Sequence, residues 1–332
     1  MPGTTDAYES CRLCGRNCGA KRNTGETGFC GASSRLRLAW AGLHYGEEPI
    51  ISGSGGSGAV FVSGCSLKCF FCQNHELSLA GGGRDCEPRE FADICLMLQR
   101  RGAENINIVT GTHFIPSLAE GIKSARKRGL RLPVVWNSSG YESPAGLSLL
   151  EDFVDIYLPD LKVLDPDLAR AIFGDSSYPD AAKKTILAMA SSRPLRYTDD
   201  SRAALASGLI VRHLVLPGRG ENTRELLSWF ARSLAGKALL SVMFQYTPPA
   251  GKDAASLPPG EWTRKVSPAE YEEVLALLEE LGIEDGFVQE APGGADCLPD
   301  FSRRDAFPCG IARPFWFYGD FAGGAGSPRA AG

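Results

Sequence analysis

The sequence predicts an α/β fold, a parallel sheet covered by helices and curled into an open or partial barrel. Two observations predict it. From residue 59 onward, six short and nearly unbroken apolar runs recur, at 59–63, 105–110, 133–137, 154–159, 209–216 and 239–246. Patterns of helical period lie between them. Strands that are apolar on both faces belong in a sheet with helices on its surface, and the alternation makes that sheet parallel.

In chain order, residues 1–52 read as a cysteine-rich leader with little periodicity, 53–284 as the barrel and 285–332 as a loop-rich cover. The run Gly53 to Gly58 matches G-x-G-x-x-G by letter. A dinucleotide site needs a strand before that run and a helix after it. Here the run precedes the strand at 59–63, so a plain loop is expected, or a close approach of backbone to a bound group. The first helix, 88–101, puts Phe91, Ile94, Cys95 and Leu98 on one face, with Pro88 at its start and Gly102 after its end. Leu118, Ile122 and Ala125 mark the second, residues 181–189 the third, and Leu226, Leu227, Phe230 and Leu234 the fourth. Ser267 and Glu270 form a capping box that opens the last, which runs to Gly282.

The chain has 332 residues and a net charge of −4, with no basic block. Bulk charge therefore favours neither nucleic acid nor an anionic membrane as partner. No apolar run reaches the length of a membrane span. Met1 to Ser10 lacks the basic-then-apolar pattern of a secretory signal, so a cytoplasmic location is expected. Eleven cysteines are many for such a protein. In a reducing compartment a disulfide framework is not expected. Seven of them fall in two tight groups, which points to metal or cluster ligation. Cys86 and Cys95 are expected to pack. Cys297 and Cys309, twelve apart, are open to packing, metal ligation or substrate contact.

The sharper group is Gly64-Cys65-Ser66-Leu67-Lys68-Cys69-Phe70-Phe71-Cys72-Gln73-Asn74, a C-x3-C-x2-C loop directly after the first apolar run. Three thiolates hold three irons of a [4Fe–4S] cube and leave the fourth without a protein ligand, whereas electron carriers fill that place with a fourth cysteine. The other group, Cys11, Cys14, Cys18 and Cys30, supplies four thiolates. These are enough for a closed zinc site or a second iron–sulfur cluster. Polar residues gather where runs end and where a β/α barrel places its site. They are Thr110, Thr112 and His113; Asn137 and Ser138; Asp160 and Lys162; and Gln245, with Arg212 and His213 lying inside the fifth run. Asp160 and Lys162, two apart, share one strand face.

The C-x3-C-x2-C loop, the leader Cys11 to Gly31, and the segments Asn105 to Phe114 and Tyr157 to Lys162 together resemble the radical S-adenosylmethionine (SAM) proteins. They are most similar to homologues of pyruvate formate-lyase activating enzyme, over residues 11–320. The resemblance implies a partial (β/α)6 barrel, a [4Fe–4S] cluster on Cys65, Cys69 and Cys72, and SAM bound at its open iron. It also implies an electron donor such as flavodoxin or ferredoxin. Val109-Thr110-Gly111-Thr112-His113 stands where the family usually has Gly-Gly-Glu for the SAM amine. The ten strand-end residues are the candidates for SAM contact. The activity implied is reductive cleavage of SAM and hydrogen abstraction from a protein, as in glycyl radical activases, or from a small molecule. Two alternatives stay open: a non-catalytic redox or metal-binding module, and an isomerase-like or aldolase-like barrel with only structural zinc.

Overall fold

The computed structural model describes residues 6–251, 253–290 and 297–321, so parts of the expected cover (291–296 and 322–332) lie outside the described residues. From the N-terminus, β1 (Arg37–His44) and the one-turn helix α1 (Pro49–Ser52) precede β2 (Ser57–Val62). After the cysteine loop come α2 (His75–Ser78) and β3 (Arg84–Asp85). The series continues with α3 (Pro88–Arg100), β4 (Ile106–Val109), α4 (Ile115–Lys127), β5 (Val134–Ser138), α5 (Pro144–Leu150) and β6 (Ile156–Pro159). Then follow α6 (Pro166–Phe173), α7 (Tyr178–Ser192), β7 (Arg196–Tyr197), β8 (Leu205–Leu214) and α8 (Gly220–Leu234). The last elements are β9 (Leu239–Met243), α9 (Pro268–Glu280), β10 (Gly286–Val288) and β11 (Ala312–Phe317).

The main path across the sheet is β10-β9-β8-β6-β5-β4-β2-β1-β11. Strands from β2 to β10 on this path are parallel, whereas β1 runs antiparallel to β2 and β11 antiparallel to β1. With β10 and β11 at opposite edges, the barrel is open. All six expected strands form, and so do the five expected helices. The sheet also crosses both boundaries read from the sequence. β1 comes from the expected leader and β11 from the expected cover. β1 carries an apolar stretch, Leu38 to Leu43, which a reading for helical or alternating period passes over because it is buried along nearly its whole length.

Val60, Val62, Ile106, Ile108, Trp136 and Val211 face outward and pack beneath the helices, against Phe91, Leu118, Ile186 and Leu226. On the inner face, α1 pushes Ile50 and Ile51 against Val135, Ile156, Leu158, Ile210 and Leu239 and plugs the barrel floor. The glycine run serves this floor, not a cofactor. A Cβ at Gly55 would lie 2.1 Å from Gly102 O, and one at Gly58 2.5 Å from Asn105 O, so the close approach is to the loop before β4. The expected capping box forms, with the Ser267 hydroxyl accepting from Glu270 N at 3.3 Å and the Glu270 carboxylate accepting from Ser267 N at 2.7 Å.

Cys297 and Cys309 are joined as a disulfide, which corrects the expectation that no disulfide forms. The reason is local. Phe301 and Phe307 sink into the core around Trp40 and Phe61, and Asp300 N donates to Ala306 O at 2.7 Å. That closes the loop and brings the two Cα atoms within 5.5 Å. No helix among the described residues is long and apolar enough to cross a membrane.

Above the floor, Arg212 lies buried between Glu48, whose Oε1 accepts from Nε at 2.8 Å, and Glu47, which accepts from Nη2. Burial alone would raise the Glu48 carboxyl; the Arg212 cation outweighs it and holds the carboxyl below its ordinary range. Arg212→Met strands two inward carboxylates and is expected to cost about 3–5 kcal/mol, read from denaturation midpoints. A carboxyl held low contributes stability above its unfolded range and loses it as pH falls through the folded value. The gap between wild type and variant should therefore close in acid; a gap that stays constant from neutral to acidic pH contradicts this account.

Candidate functional site

The cysteine loop leaves the carboxyl end of β2 through Gly64, whose φ of +87° favours glycine. A Cβ there would also stand 2.8 Å from Cys30 O and 3.0 Å from His113 Nε2, so the leader and the turn after β4 press on this point. Leu67 N donates to Cys65 Sγ at 3.3 Å. Cys69 and Cys72 carry thiols pushed up by burial. The charges that act on Cys69 are those of Lys162, Cys65, Cys72 and Asp160, so the strand-end pair stands within electrostatic reach of the loop. Phe71 stacks on Trp262 at 6.1 Å, and Phe70 meets the same indole edge-on at 5.1 Å. Gln73 Nε2 donates to Gln245 O at 2.8 Å, tying the loop to the chain just past β9.

Around this loop the strand ends supply polar groups. Thr110, β-branched, is held at φ +62° by its amide donating to Asn137 O at 2.9 Å. Such a conformation is costly and collects at functional sites. Asn137, one residue past Trp136, stands half-buried beside Leu158 on the inner face. Ser138 turns its hydroxyl to Gly140 N at 3.2 Å. Lys162 Nζ donates to Asp160 Oδ2 at 2.7 Å. Burial opposes the Lys162 charge, but Asp160 and then Cys69 outweigh it and hold the ammonium firmly protonated. The Tyr178 hydroxyl fixes their backbone, standing 3.0 Å from both Asp160 O and Lys162 N.

Other expected residues are drawn into structural bonds. His213 lies on the opposite face from Arg212 and meets Thr223 of α8 at 3.0 Å, so it does not reach the site. Arg212 is occupied by Glu47 and Glu48. Thr112 donates to Glu142 Oε1 at 2.7 Å. His113 is buried and bonded to Ser63 O at 2.7 Å; burial and the neighbouring Arg22 cation lower it to about 3. It is therefore neutral with its proton on Nε2, and Nδ1 is left without a partner. A cleft of about 970 Å³ at the starts of α6 and α8 shares no residue with this set.

Sequence reading passed over three residues that organise the region. Arg22 is wholly buried, donating to His113 O, Ala32 O and Ser33 O, and standing 3.5 Å from Cys11 Sγ. Glu142 is buried beneath Thr112 and the Trp136 indole. Arg16 bonds the cysteine loop. The first two are single charged residues with no periodic neighbours, so only their burial singles them out. Arg16 had a signal, being the one cation inside the Cys14–Cys18 spacer.

The donor set fits an iron–sulfur cube with an open iron: three thiols from one loop act on one another, and the neighbouring charges are Lys162 and Asp160. Among the described residues no three His, Cys, Asp or Glu side chains converge as one metal ion would draw them. Ligands of a cube stand on separate irons and need no such convergence. In the leader, burial pushes Cys14 up to about 12, with Cys11, Cys30 and Cys18 adding to the rise. Arg22 sits against these thiols with no carboxylate among its hydrogen-bond partners, so thiolates there would supply its counter-charge. Thr110→Gly removes the backbone cost at φ +62° and should raise stability by about 1 kcal/mol, read as a higher denaturation midpoint. A lower midpoint would mean that the threonine side chain contributes more than its strain costs.

Residues 59–194 match the model of the Radical SAM superfamily. Among curated proteins, the uncharacterized protein MJ0674 of Methanocaldococcus jannaschii is 28% identical over 287 residues, covering 83% of this chain and 76% of that protein. Among solved structures, the crystal structure of Streptococcus suis SuiB bound to S-adenosylmethionine aligns with a TM-score of 0.45 and 13% identity. That alignment covers 68% of this chain and 45% of SuiB, so the present chain spans less than half of that protein. Residues 59–194, which hold the cysteine loop and the ends of β4, β5 and β6, are a radical SAM domain.

Proposed function

We propose that this radical SAM enzyme binds a [4Fe–4S] cluster on Cys65, Cys69 and Cys72 and cleaves SAM reductively to abstract hydrogen from a protein or small-molecule substrate. The observation that carries the reading is the three-cysteine loop set against the Asp160–Lys162 pair at the carboxyl ends of parallel strands. When bound, the cluster supplies one electron to the sulfonium, breaking its S–C5′ bond to give methionine and a 5′-deoxyadenosyl radical.

The chain's own part is binding, orientation and exclusion of water. Lys162 holds a fixed positive charge beside Cys69, suited to a ligating thiolate and to the carboxylate of SAM. Asp160 offers the opposite charge to the amine. Asn137 and Ser138 suit the ribose hydroxyls, and Thr110 would suit the amine. Phe70, Phe71, Tyr246 and Trp262 form an apolar wall behind the loop. Arg212, His213 and Thr112 act through the structural bonds described above. Electrons would come from a flavodoxin-like or ferredoxin-like donor. In the leader, Cys11, Cys14, Cys18 and Cys30 would hold a second cluster or, once drawn together, zinc. The hydrogen donor is a protein, as in a glycyl radical activase, or a small molecule.

The test is anaerobic. Protein reconstituted with iron and sulfide, reduced with dithionite and given SAM should form 5′-deoxyadenosine, and Cys69→Ser should lose that activity by at least 100-fold, about 2.7 kcal/mol in the barrier. A wild type that holds a reduced cluster yet neither binds nor cleaves SAM would sink the enzyme reading and leave a redox module. Metal analysis separates the leader: replacing Cys11, Cys14, Cys18 and Cys30 with alanine should remove zinc, or a cluster's complement of iron, and spare the barrel cluster. Unchanged metal content would leave these four as free thiols.

A further inference from the structure

Arg16 lies in the leader, in the spacer between Cys14 and Cys18, yet every hydrogen bond of its guanidinium goes to a residue outside the leader. Nε donates to Ser66 O at 2.9 Å and Nη2 reaches Leu67 O at 3.5 Å, both inside the Cys65–Cys69 spacer. Nη2 also donates to Phe173 O, and Nη1 meets Asp175 Oδ2 at 3.3 Å and Gly174 O at 3.5 Å, at the end of α6. The Phe29 ring covers its flat face at 3.8 Å. The turn that presents it is fixed from behind. Gly15 N donates to Tyr141 O at 2.9 Å, and a Cβ on Gly15 would overlap the Tyr141 ring at 2.2 Å.

One peptide unit links this cation to a ligand sulfur. The carbonyl of Ser66 accepts from Arg16, and the amide of the same unit, Leu67 N–H, donates to Cys65 Sγ at 3.3 Å. A cation on the carbonyl polarises the unit and strengthens what its N–H gives, because bonds in series reinforce one another. Hydrogen bonds to cluster sulfurs, and positive charge nearby, favour the reduced and more negative state.

We infer that Arg16 is a positioning residue that sets the shape of the Cys65 loop and raises the reduction potential of its cluster, so that the leader tunes the radical SAM site through one guanidinium. The inference rests on the reading of Cys65, Cys69 and Cys72 as cluster ligands. It gives the leader a task that needs no electron transfer through it. Lysine keeps the charge but loses the planar fork that serves two carbonyls at once. Methionine keeps the bulk and loses both charge and donors.

The experiment is a redox titration of full-length reconstituted protein, followed by electron paramagnetic resonance on the signal that SAM perturbs. That choice isolates the cluster with an open iron from any second cluster. Iron and sulfide content are measured in parallel. With equal cluster content, the midpoint should move to more negative potential in Arg16→Lys and further in Arg16→Met. Should Arg16→Met lose its cluster, the lysine variant carries the comparison. A midpoint unchanged from wild type in variants that keep the cluster overturns the inference, since a merely structural arginine would alter occupancy and not potential. A wild type with no SAM-perturbed signal overturns the cysteine reading itself, and this inference with it.

Discussion

A loop with no secondary structure of its own takes its shape from whatever it touches, and the Cys65–Cys72 loop is touched on every side. Gly64 lets it leave β2 between the leader and the His113 turn. Arg16 bonds two of its carbonyls. Gln73 fastens its far end to the chain beyond β9, and Trp262 backs its two phenylalanines. The leader, the turn after β4, the end of α6 and the segment before α9 therefore converge on the ten residues from Gly64 to Gln73. A site built on such a loop needs this, because a misplaced loop misplaces everything bound on it.

Charge taken out of water is the second theme. Arg212, Lys162 and Arg22 each put a cation into the interior or at its edge, and each is met in a different way. Arg212 finds two carboxylates brought in by the loop after β1. Lys162 finds Asp160, two residues before it just past the end of β6, and the Cys69 thiol within electrostatic reach. Arg22 finds carbonyl oxygens, two aromatic rings and a cysteine sulfur. The first arrangement stiffens the middle of the barrel. The second leaves an oriented pair at the strand ends, beside the cysteines. The third makes the leader's thiols neighbours of a buried positive charge, which favours the thiolate form that metal requires.

The strands that precede and follow the parallel series belong to the same sheet. β1 and β11 extend the sheet on the β2 side as antiparallel strands, and Phe301 and Phe307 pack around Trp40 of β1 and Phe61 of β2. Phe301 N also donates to Glu76, in the helix that follows the cysteine loop. Leader and cover thus support the strand from which the cysteine loop springs.

The sequence by itself determined the six parallel strands, the helices between them and the two cysteine groups, because each rests on local pattern: apolar runs, helical period, caps and ligand spacing. It also put Asp160 and Lys162 on one face, since strand alternation is a local property. Only tertiary structure decided which strand-end polar groups face the loop. Arg212 and His213 are adjacent in sequence and point to opposite faces, one claimed by Glu47 and Glu48, the other by Thr223. It alone showed that β1 and β11 complete the sheet, that Cys297 meets Cys309, and that Arg16 reaches a loop fifty residues away in the chain. These are long-range pairings between short or single-residue signals, and no local periodicity encodes which distant partner a buried charge or an unpaired strand edge will find.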